Sequence, residues 1–168
     1  MTVHIPYGKH TFACELSDAA VLTSHVDQLR SPQSGLEIVR RAMAAPIDSL
    51  DLARGKRTCT VLISDHTRPV PSRDILPPML EELRRGNPEI DITLLVATGF
   101  HRGTTRDELR AKLGDDVFLH EKVVVHDCRD KDSNVKIGTL PSGAPLVIDR
   151  LAAETDLLVS EGFIEPHF

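Results

Sequence analysis

Tryptophan is absent from the 168-residue chain, and a single tyrosine stands beside five phenylalanines. Flat aromatic platforms for stacking unpaired bases are therefore scarce. Basic residues are also outnumbered: 20 Lys and Arg face 25 Asp and Glu, for a net charge of −5. The two signs are interspersed, so no cationic stripe is available for a phosphate backbone, which argues against a nucleic-acid partner. Cysteines number three, and Cys14, Cys59 and Cys128 are far apart with no Cys-x-x-Cys pair. That pattern suggests neither a zinc knuckle nor a disulfide framework, and a reduced, cytoplasmic compartment is expected. No segment approaches the roughly 18 consecutive apolar residues of a membrane span. The first twelve residues are polar and include Pro6 and Gly8, so they lack the apolar centre of a secretory leader.

What remains is an ordinary balance of 40% apolar and 27% charged residues, enough for one domain with its own core. Thr2–Ile5 and Thr11–Leu16 read as two strands joined at Tyr7-Gly8-Lys9, forming a β-hairpin arm. Ser34 and Glu37 stand at capping-box spacing before a helix with Leu36, Ile38, Val39 and Met43 on its apolar side, ended by Pro46. From residue 57 the pattern alternates. Thr58–Ser64, Ile92–Ala97, Val123–His126 and Leu157–Ser160 are short runs of the kind found in strands buried on both faces. Ser72–Arg85 reads as helical, with Ile75, Met79 and Leu83 recurring at helical spacing and Leu76 and Leu80 beside them, although Pro77 and Pro78 fit only near a first turn and point to a start at about Ile75. Thr105 and Glu108 open another helix, stopped by Gly114. Val135–Thr139 and Leu146–Ile148 are expected to pair around Pro141-Ser142-Gly143, and Leu151–Glu154 to form a helical turn. Strands alternating with amphipathic helices predict an α/β fold with a mostly parallel, Rossmann-like sheet and helices on both faces.

In such sheets ligands bind beyond the carboxyl ends of the strands. Three segments sit there: Ser64-Asp65-His66-Thr67-Arg68-Pro69, Thr98-Gly99-Phe100-His101-Arg102, and Glu161-Gly162-Phe163-Ile164-Glu165-Pro166-His167. Arg68 suits a planar carboxylate or phosphate, and Asp65 suits an imidazole or a substrate hydroxyl. Equally, Asp65 and Arg68 read as a structural pair that pins the loop. Gly99 permits a tight turn, and the helix start that follows is a natural anion site. His101 stands where a general acid or base would act, or is simply an exposed loop histidine. No Walker loop, dinucleotide fingerprint or nucleophile elbow is present. His4, His10 and His25 have no metal-ligand spacing, His126-Asp127 resembles a capping pair, and only His66 stands out among the rest; no metal site is expected within the chain. The chain stops at Phe168 directly after a strand and without a polar tail, which reads as a truncation.

Asp65-His66-Thr67-Arg68-Pro69, Ala97-Thr98-Gly99-Phe100-His101-Arg102-Gly103-Thr104-Thr105 and Gly162-Phe163-Ile164-Glu165-Pro166-His167-Phe168, in that order, resemble the N-terminal domain of the nickel-dependent lactate racemase family. The resemblance implies an isomerase that inverts the hydroxyl-bearing carbon of a 2-hydroxy acid, lactate or a relative, by reversible hydride transfer to a nickel-pincer nucleotide. That cofactor is a pyridinium thioamide–thiocarboxylate mononucleotide carrying nickel. By the same resemblance, His101 and His167 are the acid/base pair, Arg68 grips the substrate carboxylate, Asp65 supports that site by orienting His101, and Thr98 and Gly99 lie beside the cofactor. The segment that holds the cofactor and a second domain would follow Phe168. Residues 1–168 are thus expected to be the N-terminal domain of a larger two-domain enzyme, with no nickel and no racemase activity of their own. The alternative reading is a non-catalytic α/β module that binds a small carboxylate or phosphate.

Overall fold

A computed structural model of the chain describes residues 1–18, 20, 22, 31–48 and 51–164. Within it, residues 1–32 and 33–168 form two compact units. In the first, β1 (Thr2–Tyr7) pairs antiparallel with β2 (His10–Glu15), so Tyr7 belongs to the strand rather than to the turn. Gly8, at φ 59°, supplies the left-handed backbone that a two-residue hairpin loop demands. His25, His167 and the rest of the Glu165–Phe168 stretch lie outside the described residues.

The second unit opens with α1 (Gly35–Ala44). Its capping box is complete: the Ser34 hydroxyl accepts from the Glu37 amide at 3.3 Å, and the Ser34 amide donates to Glu37 Oε2 at 2.8 Å. Four strands among the described residues then form a parallel sheet: β3 (Thr58–Ser64), β4 (Asp91–Ala97), β5 (Lys122–Val125) and β8 (Leu157–Ser160), in the order β5-β4-β3-β8. β3 and β4 are central, which is why their runs are nearly continuously apolar. β8 is an edge strand rather than one buried on both faces, and Leu158 is 48% exposed.

Alternation along the central strands divides the residues between two faces. Cys59, Val61, Ile63, Ile92, Leu94 and Val96 pack with Leu76, Leu80 and Leu83 of α2 (Ser72–Gly86), Leu109 and Leu113 of α3 (Arg106–Leu113), and Val117 of α4 (Asp115–His120). The opposite face meets α5 (Arg150–Glu154), where the Thr60 hydroxyl donates to the Leu151 carbonyl at 2.9 Å. Helices therefore cover both faces. Between β5 and α5, β6 (Asn134–Thr139) and β7 (Pro145–Asp149) form the antiparallel ribbon predicted around Gly143. α4 was not anticipated. Gly114, at φ 82°, ends α3 and also begins α4, so one stop signal conceals a second start.

α2 corrects the expectation for its start. It begins at Ser72 and runs through Pro77 and Pro78. Each proline removes one intrahelical bond, at about 3 kcal/mol in a helix interior. Leu76, Leu80, Leu83 and Pro78 itself are buried on the same helix, and burial of each leucine contributes about 1.5–3 kcal/mol. Core packing is therefore large enough to override the local propensity. Leu76 is wholly inaccessible, so Leu76→Ala is expected to lower unfolding free energy by about 2–5 kcal/mol in urea titrations. A loss below about 1 kcal/mol would show that the site collapses without leaving a cavity.

Candidate active site

Because β4, β3 and β8 are neighbours and parallel, the loops after them emerge side by side from one edge of the sheet. The chain leaves β3 for β4 on one side and returns as β8 on the other. β3 thus marks the topological switch point at which open α/β sheets form a crevice.

Asp65 is the first residue past β3 and is only 2% exposed. Its Oδ1 accepts from the Thr67 amide at 3.0 Å and the Thr67 hydroxyl at 2.6 Å. Its Oδ2 lies 2.5 Å from Nδ1 of His101. Burial pushes the carboxyl up, but the Thr67 hydroxyl, the His101 ring and the Thr67 amide together hold it below the ordinary carboxylate value. An ionised carboxylate can only accept, so His101 Nδ1 carries the proton. In the neutral ring the lone pair is then on the other nitrogen, Nε2, which has no partner among the described residues. His101 is held to Asp65 yet remains half-exposed, with 48% of its side chain accessible. The Gly99 turn that presents it has φ 57° and open space around the backbone.

Arg68 does not pair with Asp65, so the structural reading of those two residues fails. Its amide closes a turn onto the Asp65 carbonyl at 3.3 Å, while its guanidinium has no partner among the described residues. A recess of about 340 Å³ beside it is lined by His66, Arg68, Val70, Glu108, Ala111 and Lys112. A cavity of about 380 Å³ lies on the α5 face of the sheet, between Thr60, Thr93, Val124 and Leu151. None of the described residues of the three loops lines that cavity, and the guanidinium, unpaired among the described residues, favours the recess as the place where an anion would bind.

Other expected groups are already engaged. The Thr98 side chain is buried, and its hydroxyl donates to the His126 carbonyl at 2.7 Å, which leaves Gly99 as the open position of that pair. The start of α3 is filled by its own Glu108, which accepts from the Thr105 amide and forms a two-point bridge to Arg102. The Arg102 bond and then the Thr105 amide hold the Glu108 carboxyl well below its usual range. An external anion therefore finds no vacant helix terminus there, and neither Arg102 nor that terminus serves the site. His66 approaches Thr104 Oγ1 at 3.2 Å and Glu108 at 3.8 Å. Burial pushes the Cys59 thiol up to about 11, which leaves it inert as a nucleophile. Among the described residues no cluster of three His, Cys, Asp or Glu could hold a metal ion. Likewise, no helix among them is long and apolar enough to cross a membrane.

Two features escaped the sequence reading. His126 does not pair with its neighbour Asp127; its Nδ1 meets the buried Asp149 Oδ2 at 2.9 Å, joining β5 to the start of α5. Glu161, the first residue past β8, accepts from the Ser72 hydroxyl at 2.6 Å. Burial raises its carboxyl above the ordinary value, although Ser72 and Lys112 oppose the shift. A signal for Glu161 was present, since β3 and β8 both end in a β-branched residue, a serine and then an acid: Ile63-Ser64-Asp65 and Val159-Ser160-Glu161.

A carboxyl held below its unfolded value, ordinarily about 3.9, stabilises the fold above that pH, and the stabilisation is lost as pH falls through the folded value. Asp65→Asn is accordingly expected to be less stable than wild type at neutral pH and to lose less stability on acidification below about pH 4. Urea midpoints measured across that range test this, and equal acid slopes would show that Asp65 is not held ionised. In the same variant, nitrogen NMR should find His101 no longer confined to the Nδ1–H tautomer.

Residues 7–168 match the family described as lactate racemase N-terminal domain. The lactate racemase of Thermoanaerobacterium thermosaccharolyticum is 48% identical over 172 residues, which cover 99% of this chain and 40% of that protein. The lactate racemase of Lactiplantibacillus plantarum is 44% identical over 174 residues, covering 100% and 41%. The structure of the T. thermosaccharolyticum lactate racemase apoprotein superposes with a TM-score of 0.82 at 49% identity, over 100% of this chain and 40% of that one. A Thermotoga maritima protein superposes with a TM-score of 0.59 at 17% identity, over 74% and 32%, a likeness of fold alone. The chain spans about two fifths of the length of the curated relatives it matches. With nearly every residue inside the family match and the parallel sheet reproduced in a solved relative, the chain belongs to the lactate racemase N-terminal domain family.

Proposed function

We propose that this chain carries the acid/base and carboxylate-binding part of a 2-hydroxy-acid racemase or epimerase, acting on lactate or a relative. The observation that supports the reading is the His101–Asp65 pair at 2.5 Å, one turn of chain from the unpaired Arg68 guanidinium. The family match supports it further, since the relatives are named lactate racemases.

The carbon to be inverted bears a proton too weakly acidic for an imidazole to remove, so the reaction proceeds by hydride removal, with a base for the hydroxyl proton. Arg68 binds the substrate carboxylate through two parallel hydrogen bonds and fixes its position. His101 Nε2 takes the hydroxyl proton, and the Asp65 carboxylate stabilises the imidazolium that results. His167 does the same for the opposite hand of substrate. Each histidine returns the proton to the substrate oxygen on its own side, which is how inversion is completed. A nickel-pincer nucleotide, when bound, supplies the hydride acceptor. The open backbone at Gly99, where an added Cβ would meet nothing within 4 Å, fits close approach of such a planar group. The remainder of the polypeptide, a second domain, completes cofactor binding and substrate selection. Residues 1–168 alone are then without racemase activity.

The test uses the full-length polypeptide co-produced with the proteins that make the cofactor. Inversion of D- and L-lactate or of another member of a 2-hydroxy-acid panel is expected. His101→Ala and His167→Ala should each lose about 10²–10⁴-fold in rate, the usual contribution of an acid/base group. No inversion of any panel member by protein shown to contain nickel would overturn the reading.

A further inference from the structure

The Arg68 guanidinium has no partner among the described residues, so what directs it is the backbone that carries it. That backbone has a contact from outside its own loop. Lys112, in the last turn of α3, donates from Nζ to the Arg68 carbonyl at 3.2 Å. The Lys112 side chain also lines the recess beside Arg68. Its charge is faced by Asp65 from the β3 loop and by Glu161 from the end of β8. Glu161 is in turn held by the Ser72 hydroxyl at the start of α2, and its own amide donates to the Leu62 carbonyl of β3 at 3.0 Å. The second carboxylate oxygen of Glu161 is buried without a hydrogen-bond partner, as is the Ser64 hydroxyl. Lys112 is thus the nearby cation that offsets the Glu161 charge while tying down the Arg68 turn. The ammonium of α3 thus contacts the β3 loop directly and is faced by the acid at the end of β8.

We propose that Lys112 is a positioning residue for carboxylate recognition, holding the Asp65–Val70 loop so that Arg68 is aimed at the substrate before it binds. The inference rests on the reading of Arg68 as the carboxylate-binding residue. Lys112 itself need not touch substrate, because its ammonium is already directed at a backbone carbonyl. Without it the Arg68 carbonyl loses its partner, Glu161 keeps a charge with no counter-ion, and the loop becomes free to sample other directions. The cost falls on substrate binding rather than on proton transfer, because Asp65, buried at the start of the loop, keeps its own hold on His101.

The experiment compares wild type, Arg68→Ala, Lys112→Met and Lys112→Arg in the cofactor-loaded full-length enzyme. Lys112→Met is expected to raise KM for the 2-hydroxy acid by roughly tenfold to a hundredfold, the range for losing a charge-assisted hydrogen bond, with kcat changed by less than about threefold. Lys112→Arg, which keeps the charge and the donor, should recover most of the KM. A second readout needs no turnover: hydrogen–deuterium exchange of the residue 65–70 amides in the ligand-free polypeptide should accelerate in Lys112→Met and return towards wild type in Lys112→Arg. If Arg68→Ala raises KM while Lys112→Met leaves both KM and exchange unchanged, the positioning role is overturned and the Arg68 reading stands. If Arg68→Ala leaves KM unchanged, the Arg68 reading falls and this inference falls with it. A fall in kcat at constant KM in Lys112→Met would also overturn it. Should Lys112→Met fail to fold, as judged by thermal melting, Lys112→Gln carries the same expectations.

Discussion

Removing the Asp65 carboxylate from water is costly, and the arrangement of the site follows from how that cost is offset. A buried carboxylate is tolerated only where donors replace its hydration shell. Three do so: the Thr67 amide, the Thr67 hydroxyl and the His101 ring. The first two fold the chain after β3 into a tight turn, and the turn brings Arg68 out with its guanidinium unpaired. The third fixes the imidazole with its proton on Nδ1 and turns Nε2 away from the carboxylate. One desolvated charge therefore sets the loop path, the histidine tautomer and the direction of the cation.

The sheet places that charge where it can act. β3 and β4 are covered on both faces, so most of their residues are apolar until the strands end, and the Thr60 hydroxyl serves only to tie β3 to α5. Polar groups accumulate at the carboxyl edge because the parallel arrangement brings successive strand ends to the same side. The helices opposite are held by the core even where local chemistry objects. α2 keeps its line through two prolines because its leucines are buried against β3 and β4. The start of α2 delivers Ser72 to Glu161, so a packing decision made in the core also determines which hydroxyl meets which acid at the edge.

Charge pairing elsewhere narrows the set of groups left for a ligand. Arg102 and the start of α3 both belong to Glu108. Arg84 is bound to Glu121, and Arg40 to Glu81. Among the described residues near the β3 loop, the Arg68 guanidinium stands apart from these pairs.

The sequence by itself determined the strands, most helix boundaries, both capping boxes, the Gly143 ribbon and the three loops at the sheet edge. Each depends on local periodicity or on short-range hydrogen bonds, which a linear pattern records. The resemblance added His101, Arg68 and Asp65 as a set, together with His167, which lies outside the described residues. Only the tertiary structure decided the rest. It assigned His126 to Asp149, 23 residues away, rather than to adjacent Asp127, and it buried the Thr98 hydroxyl against β5. It carried α2 back to Ser72 through the prolines, because burial energy is not visible in helix propensity. It joined Arg102 to the Glu108 carboxylate that the capping box had already placed at the start of α3. And it brought Lys112, Ser72 and Glu161 from three separate elements to one corner of the site, a meeting set by strand order and helix packing rather than by any spacing along the chain.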